Sequence, residues 1–246
     1  MLYLKKIDST NTEAKRQAEQ GAPDRLWVVA DEQTDGRGRR GRSWESPAGN
    51  NIFATLLLYP SFSSEAASMI TLVMALSVTE AIREETELPA YIKWPNDVVV
   101  HGKKVVGILT ELAMERTAIR YLICGVGVNV NQEDFSEEIR KTATSLYLES
   151  GRKVDREMLL QKIAEKFDEN YAMFCQKESM QELQERYNEL LVNKEVVVRV
   201  LDPKGEYEGV AHGINEKGEL LVERNDGILE AIYAGEVSVR GSYGYV

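Results

Sequence analysis

The sequence predicts an α+β protein: a mixed β-sheet with helices, followed by a small β-barrel. Three observations carry this reading. Over residues 1–192, strand-like and helix-like segments follow one another without the regular strand–helix–strand repeat of a doubly wound sheet. After Val192 the apolar period changes to two. Turn sequences then punctuate the chain: Asp202-Pro-Lys-Gly205, Asn215-Glu-Lys-Gly218 and Asn225-Asp-Gly227. Five short strands in about fifty residues suggest a barrel, so two domains are expected, 1–192 and 193–246.

The elements read in order as follows. Residues 1–7 form a short strand. Asp8-Ser-Thr-Asn11 opens a helix, with Thr10 and Glu13 as a capping box and Gly21 as its stop. Leu26–Ala30 is an apolar strand, and 31–49 a long polar loop rich in Gly and Arg. A strand over 52–59 ends at Pro60. Residues 64–87 read as one long helix, apolar on most faces and therefore buried. An extended stretch, 91–94, is interrupted by Pro95. A hairpin follows, 97–100 with 104–112, turning at His101-Gly-Lys103. Strand 118–130 carries Gly125 and Gly127 inside it, where close approach of backbone or ligand is expected. Two amphipathic helices, 155–174 and 179–190, complete the first domain; Ser179 with Glu182 reads as a second capping box.

Composition narrows the function. The 246 residues hold 30 Lys+Arg against 40 Asp+Glu, a net charge of -10. That total argues against coating nucleic acid through bulk charge. Yet four arginines, Arg37, Arg39, Arg40 and Arg42, fall within Gly36–Arg42. A concentrated positive spot on a negative body needs a local reason. The two cysteines, Cys124 and Cys175, read as buried thiols of a reducing compartment rather than a disulfide framework. The opening MLYLKKIDST lacks the apolar run of an export signal, and the most apolar helical stretch, 69–78, is about half a membrane span. A soluble, cytoplasmic protein is expected.

Three motifs suggest chemistry. In Gly36-Arg-Gly-Arg-Arg-Gly-Arg42, glycines let backbone N–H groups approach an anion, and arginines supply rigid forks for phosphate oxygens. The segment lacks the Lys-Ser/Thr of a Walker loop; a solvated basic loop is the plain alternative. Lys93-Trp-Pro-Asn-Asp97 brackets a proline break, with Lys104 across the hairpin. An Asp and a Lys there could hold a metal and stabilise developing charge, or be a surface Lys and a turn-capping Asp. Gly125-Val-Gly-Val-Asn129 could line a flat ring, or be a strand bend with a polar edge residue. Neither His101 nor His212 assembles into a triad or metal site.

Taken together and in this order, these segments resemble the biotin–protein ligases (biotin–[acetyl-CoA-carboxylase] ligases). The resemblance extends over Asp8-Ser-Thr-Asn11, Gln33 to Arg42 with Trp44, Lys93 to Asp97, Lys104-Val-Val-Gly-Ile-Leu109, Gly125 to Asn129 and Gly-Glu-Val-Ser-Val-Arg240. It implies a class II synthetase-like catalytic domain and an SH3-like C-terminal barrel. It implies ATP-dependent formation of biotinyl-5′-AMP, then transfer of biotin to one lysine of a biotin carboxyl carrier domain. Ser9, Thr10, Asn11 and Gln33 would face biotin's ureido head. Gly36, Arg37, Gly38 and Arg39 would close over biotin and the phosphate, with Gly107, Gly125 and Gly127 giving backbone contacts. Lys104, Arg39 and Asp97 would be catalytic, Lys104 touching the carboxylate and α-phosphate, Asp97 near magnesium. Arg37, Arg39, Arg40, Trp44, Lys93, Asn96, Asn129 and Arg240 would meet ATP. ATP, Mg2+ and biotin are the implied ligands, with no tightly bound metal. Some family members carry an N-terminal helix-turn-helix; here the catalytic strand starts at residue 2, so an enzyme-only form without DNA or membrane partners is expected, with a homodimer possible through strand edges. Asp35, a negative charge beside an anion site, is a departure from the family pattern. A lipoate–protein ligase is the nearest alternative, and an RNA-binding module a distant one, because Glu195, Glu206, Glu208, Glu219, Glu223, Glu230 and Glu236 occupy the barrel.

Overall fold

The structure is a computed structural model, and it describes residues 1–201, 205–233 and, for the backbone alone, 238–241. Its centre is a seven-stranded sheet built from β1 (Leu2–Leu4), β2 (Leu26–Ala30), β3 (Ile52–Leu58), β4 (Ala90–Lys93), β5 (Asp97–Val100), β6 (Lys103–Glu115) and β7 (Ala118–Val128). The spatial order is β1-β2-β3-β7-β6-β5-β4. Only β1 and β2 run parallel; the remaining pairs are antiparallel. The mixed sheet and the α+β class agree with the sequence.

Strand pleating sends alternate residues to opposite faces. On one face Ile52, Ala54, Leu56 and Leu58 of β3, with Cys124, Val126 and Val128 of β7, form the main core. That core is covered by α3 (Ile70–Thr86) and α5 (Arg156–Lys177). On the other face α1 (Thr10–Glu19) lays Ala14 and Ala18 on Val28, Leu57 and Ile123. Because α1 is only about three turns long, it leaves part of this second face open, and the candidate site lies there.

Several expectations are corrected at this level. Thr10 and Glu13 do not form a capping box: Ser9 is the N-cap and its side chain makes no capping bond. The Thr10 hydroxyl instead donates to Gln33, and Glu13 accepts from Arg16 and Gln17. Nor do Ser179 and Glu182: Ser179 accepts from Gln181 N–H in a local turn, and the helix α6 spans only Gln184–Glu189. The helix expected over 64–87 is broken into α2 (Ser64–Ala67) and α3. This pair is long and apolar enough to cross a membrane, but most of it is buried inside the protein, as a core helix is. Cys124 is buried as expected, whereas Cys175 is exposed on the solvent side of α5. A short helix, α4 (Leu146–Ser150), has no counterpart in the sequence reading.

The C-terminal sheet is β8 (Val196–Leu201), β9 (Tyr207–Ile214), β10 (Leu220–Arg224), β11 (Leu229–Ile232) and β12 (Ser238–Gly241), in the order β11-β10-β9-β8-β12. It is wholly antiparallel, and it matches the five expected strands. Its apolar face, Val198, Val200, Ala211, Leu220 and Val222, continues the main core. The β9–β10 turn presses into the layer of the seven-stranded sheet and α3. Gly218 adopts left-handed backbone at φ +75, and a Cβ there would lie 2.4 Å from Leu72. Its carbonyl accepts from the Trp94 indole at 3.1 Å. The barrel therefore braces the residue next to Pro95-Asn96-Asp97.

On β9, His212 stands between Glu195 and Glu223, with Nε2 to Glu223 at 2.9 Å and Nδ1 to Glu195 at 3.3 Å. Hydrogen bonding to Glu223, then to Glu195, raises its pKa above the ordinary 6.5. A raised folded-state pKa means the stabilisation is complete below the unfolded value and is lost as pH rises through the folded one. The thermal unfolding midpoint of the parent protein should exceed that of His212→Gln at about pH 6, and this margin should shrink toward about pH 8.5. Calorimetry of both proteins across that range checks it; a margin independent of pH refutes the pairing.

Candidate functional site

The open sheet face is a lattice of rows. Phe53 pairs with Gly127, Gly127 with Gly107, and Gly107 with Asp97. In the next row Thr55 pairs with Gly125 and Gly125 with Leu109. Three glycines thus lie side by side where side chains would fill the space above the sheet. Their need is steric. A Cβ on Gly107 or Gly127 would come within 2.6 or 2.7 Å of the Trp44 indole, and one on Gly125 within 2.0 Å of Asn11 Oδ1. Gly107 and Gly127 thus lie under a flat ring, the protein's own Trp44, whereas Gly125 lies under Asn11.

The start of α1 closes one end of this face. Gln33 Oε1 accepts from the Thr10 N–H at 2.8 Å and the Thr10 hydroxyl at 3.1 Å, while its amide nitrogen donates to Ser46 at 2.9 Å. The fully buried Thr55 hydroxyl lies 2.8 Å from Thr10 Oγ1 and 2.7 Å from Asn11 Oδ1. Asn11 Nδ2 donates to Glu111 at 2.9 Å. The result is a polar pocket at the helix N-terminus, bonded on every side.

The arginine loop folds back as a small hairpin. Gly38 N–H donates to Arg42 O at 2.7 Å and Trp44 N–H to Gly36 O at 2.8 Å. Its tip is a single 3-10 turn, Arg39–Gly41, with Arg40 in left-handed backbone at φ 57. Gly36 is required because a Cβ would meet Trp44 O at 2.5 Å. Asp35, which departed from the family pattern, pairs with Arg37 at 2.9 Å. Arg39 turns inward and donates to Asn96 Oδ1 at 2.6 Å. Burial pulls its pKa down, and the Asp97 charge opposes that effect.

Across the gap, Asn96 Nδ2 donates to Asp97 Oδ1 at 3.1 Å. Lys104 Nζ pairs with the same oxygen at 2.6 Å and sits over the Trp44 ring at 5.2 Å. The β5–β6 turn that sets this approach has His101 and Gly102 at φ 47 and 77, the backbone of a type I′ hairpin.

Two hollows meet at Arg39, Asn96 and Lys104. The first, about 50 Å³, is lined by Ser9, Thr10, Asn11, Gln33, Arg37, Gly38, Trp44, Gly107, Gly125 and Gly127. The second, about 550 Å³, is lined by Arg40, Trp44, Lys93, Asp97 and Asn129, and by Gln132, Phe135 and Ile139 of the 130–145 strap. Drug-sized ligands occupy about 300–1,000 Å³, so the first hollow as it stands is nearly filled by the indole. Gly36 lines neither hollow and acts through the loop's backbone. Asn129 is buried and donates to Thr144 O at 3.1 Å. The Arg240 side chain lies outside the described residues, as does Glu236.

Sequence reasoning missed Phe53, Thr55, Ser46, Glu111 and the strap. Two signals were available. Glu111 follows Gly107 at i+4 on one strand, hence on the same face. Thr55 is the polar interruption in the apolar run Ile52–Leu58. The strap carries no motif. Its place is set by backbone bonds, Lys104 N–H to Thr142 O and Thr144 N–H to Lys104 O.

A polar, glycine-floored pocket opening onto a cation-lined hollow suits an ATP-dependent ligase that activates an acid. Residues 3–129 match the biotin/lipoate A/B protein ligase family, and residues 193–240 the biotin protein ligase C-terminal domain. The chain is 37% identical over 243 residues to the Bacillus subtilis bifunctional ligase/repressor BirA, covering 97% of this chain and 74% of that one. It is 39% identical over 169 residues to the biotin–[acetyl-CoA-carboxylase] ligase of Paracoccus denitrificans, 67% of this chain and 70% of that protein. The solved biotin protein ligase of Aquifex aeolicus in complex with biotin and ATP superposes with a TM-score of 0.86 at 38% identity, over 98% of both chains. The chain belongs to the biotin/lipoate A/B protein ligase family.

Proposed function

We propose that this protein activates biotin with ATP to biotinyl-5′-AMP and transfers biotin to a lysine of a biotin carboxyl carrier domain. The observation that carries the reading is the junction of the two hollows at Arg39, Asn96 and Lys104. One hollow offers donors and acceptors for a cyclic urea; the other offers arginines for phosphates.

The first step joins two anions. A biotin carboxylate oxygen attacks the α-phosphorus, the bond to the bridging oxygen breaks, and pyrophosphate leaves with that electron pair. Preorganised cations lower the cost of this meeting. Lys104, held by Asp97 and by the Trp44 face, would contact the carboxylate and α-phosphate, and Arg39, bonded to Asn96, would span the junction. In the second step the carrier's neutral lysine amine attacks the acyl carbon, AMP leaves, and the new amide loses a proton. The arginine loop covers the mixed anhydride between the steps and excludes water.

Magnesium would arrive with ATP. Among the described residues no three His, Cys, Asp or Glu side chains cluster. Mg2+ is commonly held by one or two carboxylates with substrate phosphates, and the Asp97 carboxylate beside Asn96 fits that pattern. The ion would neutralise phosphate charge. Lys93, Asn96, Arg40, Trp44 and Asn129 then serve the nucleotide.

The chain divides, in this reading, into a catalytic unit 1–192 and a C-terminal unit 193–246, and the protein works in the cytoplasm. Pyrophosphate exchange into ATP tests the activity. It should depend on biotin and not respond to lipoate. Exchange driven by lipoate, or none with biotin, overturns it.

A further inference from the structure

We infer that Glu111 is a positioning residue that fixes the amide of Asn11 with its oxygen toward the biotin pocket, and so selects a ring bearing N–H donors. The inference rests on the biotin reading above and deepens it.

Glu111 lies on β6, behind the pocket, and accepts from Asn11 Nδ2 at 2.9 Å through one oxygen and from Lys15 Nζ at 2.6 Å through the other. The Leu109 carbonyl faces the same nitrogen at 3.4 Å. Two acceptors on one side of an amide leave a single arrangement, with nitrogen toward them and oxygen away. Burial resists ionisation of Glu111, but hydrogen bonds from Lys15 and Asn11, with the nearby charges of Lys15 and Arg37, hold its pKa below the ordinary range. Near neutral pH it is therefore an acceptor alone. Asn11 Oδ1 is turned toward the Thr55 hydroxyl and lies over Gly125, along the hollow that both residues line.

A carbonyl oxygen has two lone pairs, so Oδ1 accepts from Thr55 and has capacity for a ligand N–H. A cyclic urea presents two such donors; a dithiolane ring presents none. Released from Glu111, Asn11 gains the freedom to rotate and offer its NH2, which meets a urea N–H donor to donor. Selection for the urea is thus set one layer behind the pocket.

The test is biotin binding by titration calorimetry, with the biotin KM and kcat of pyrophosphate exchange. Glu111→Ala should weaken biotin by about 10- to 100-fold, the weight of one hydrogen bond to a charged group. Its kcat and its KM for ATP should stay within about 2-fold. Lys15→Met, which removes only the outer ion pair, should cost less than about 3-fold. A donor–acceptor exchange separates orientation from mere support. Asn11→Asp sets two carboxylates against each other and should lose biotin. Adding Glu111→Gln supplies a donor to the new carboxylate, leaves an oxygen toward the pocket, and should recover most of the loss. Unchanged affinity in Glu111→Ala overturns the inference, as does a loss in Lys15→Met equal to it, or a double variant no better than Asn11→Asp. If Glu111→Ala does not fold, the exchange pair decides alone. A parent protein that binds and exchanges no biotin refutes the functional reading instead.

Discussion

Lys104→Ala is expected to lower biotin-dependent pyrophosphate exchange by about 10²- to 10³-fold, the usual consequence of deleting one preorganised group at a site of developing charge. The magnitude follows from position. Lys104 lies at the junction on the sheet side; its ammonium is fixed at 2.6 Å from Asp97 and 5.2 Å from the Trp44 ring centre. A charge already held in place needs little reorganisation when two anions approach. Most of the loss should fall on kcat, because the repulsion peaks in the transition state, while the biotin head pocket, built from α1 and Gln33, is untouched. The fold should survive. Asp97 keeps its hydrogen bond from Asn96, and β6 is held by ladders on both sides. Single-turnover adenylate formation with a parallel thermal melt checks both halves. Near-normal adenylation by the variant would remove Lys104 from the reaction.

How much of this was legible in sequence depended on whether a residue acts through local pattern or through distant pairing. The first-domain strands from Leu26–Ala30 onward follow from apolar runs and the breaks that bound them, and the five C-terminal strands from period two and turn residues, signals confined to a few positions. The glycine, arginine and Lys-Trp-Pro-Asn-Asp motifs converge on one pair of hollows, since each places its chemistry within one short segment. At Thr10 local pattern gives way to distant contact. Its spacing to Glu13 satisfies the capping-box rule, but the N-cap is Ser9, one residue earlier, and the Thr10 N–H and hydroxyl both donate to Gln33, 23 residues away, so tertiary contact overrides local preference. Thr55 and Glu111 were hidden for a related reason. Their roles appear only when β3, β7 and β6 lie in register, and register is not written in any one strand.

Gly125 carries the second large effect. Gly125→Ala adds a single methyl group, yet that carbon would lie 2.0 Å from Asn11 Oδ1, 2.9 Å from its Cγ and 3.1 Å from its Nδ2. Contact at such distances forces one partner to move. The backbone at 125 cannot yield, because β7 is paired with β3 on one side and β6 on the other at this position. Asn11 must therefore leave, breaking its bonds to Thr55 and Glu111. Two hydrogen bonds lost in a buried setting should destabilise the fold by about 1–3 kcal/mol, and the urea-facing acceptor goes with them. Biotin affinity should fall by about 100-fold or more, while the nucleotide hollow, which Gly125 does not line, keeps its affinity for ATP. Gly127→Ala is the contrast, since its methyl group meets the Trp44 indole at 2.7 Å instead. That variant should displace the tryptophan and spare the Asn11 amide, so its biotin head contacts persist and its nucleotide side suffers. Equal biotin and ATP losses in the two variants would mean that the glycines serve the sheet alone. A split between them would show that Gly125 makes room for the Asn11 amide and Gly127 for the Trp44 ring.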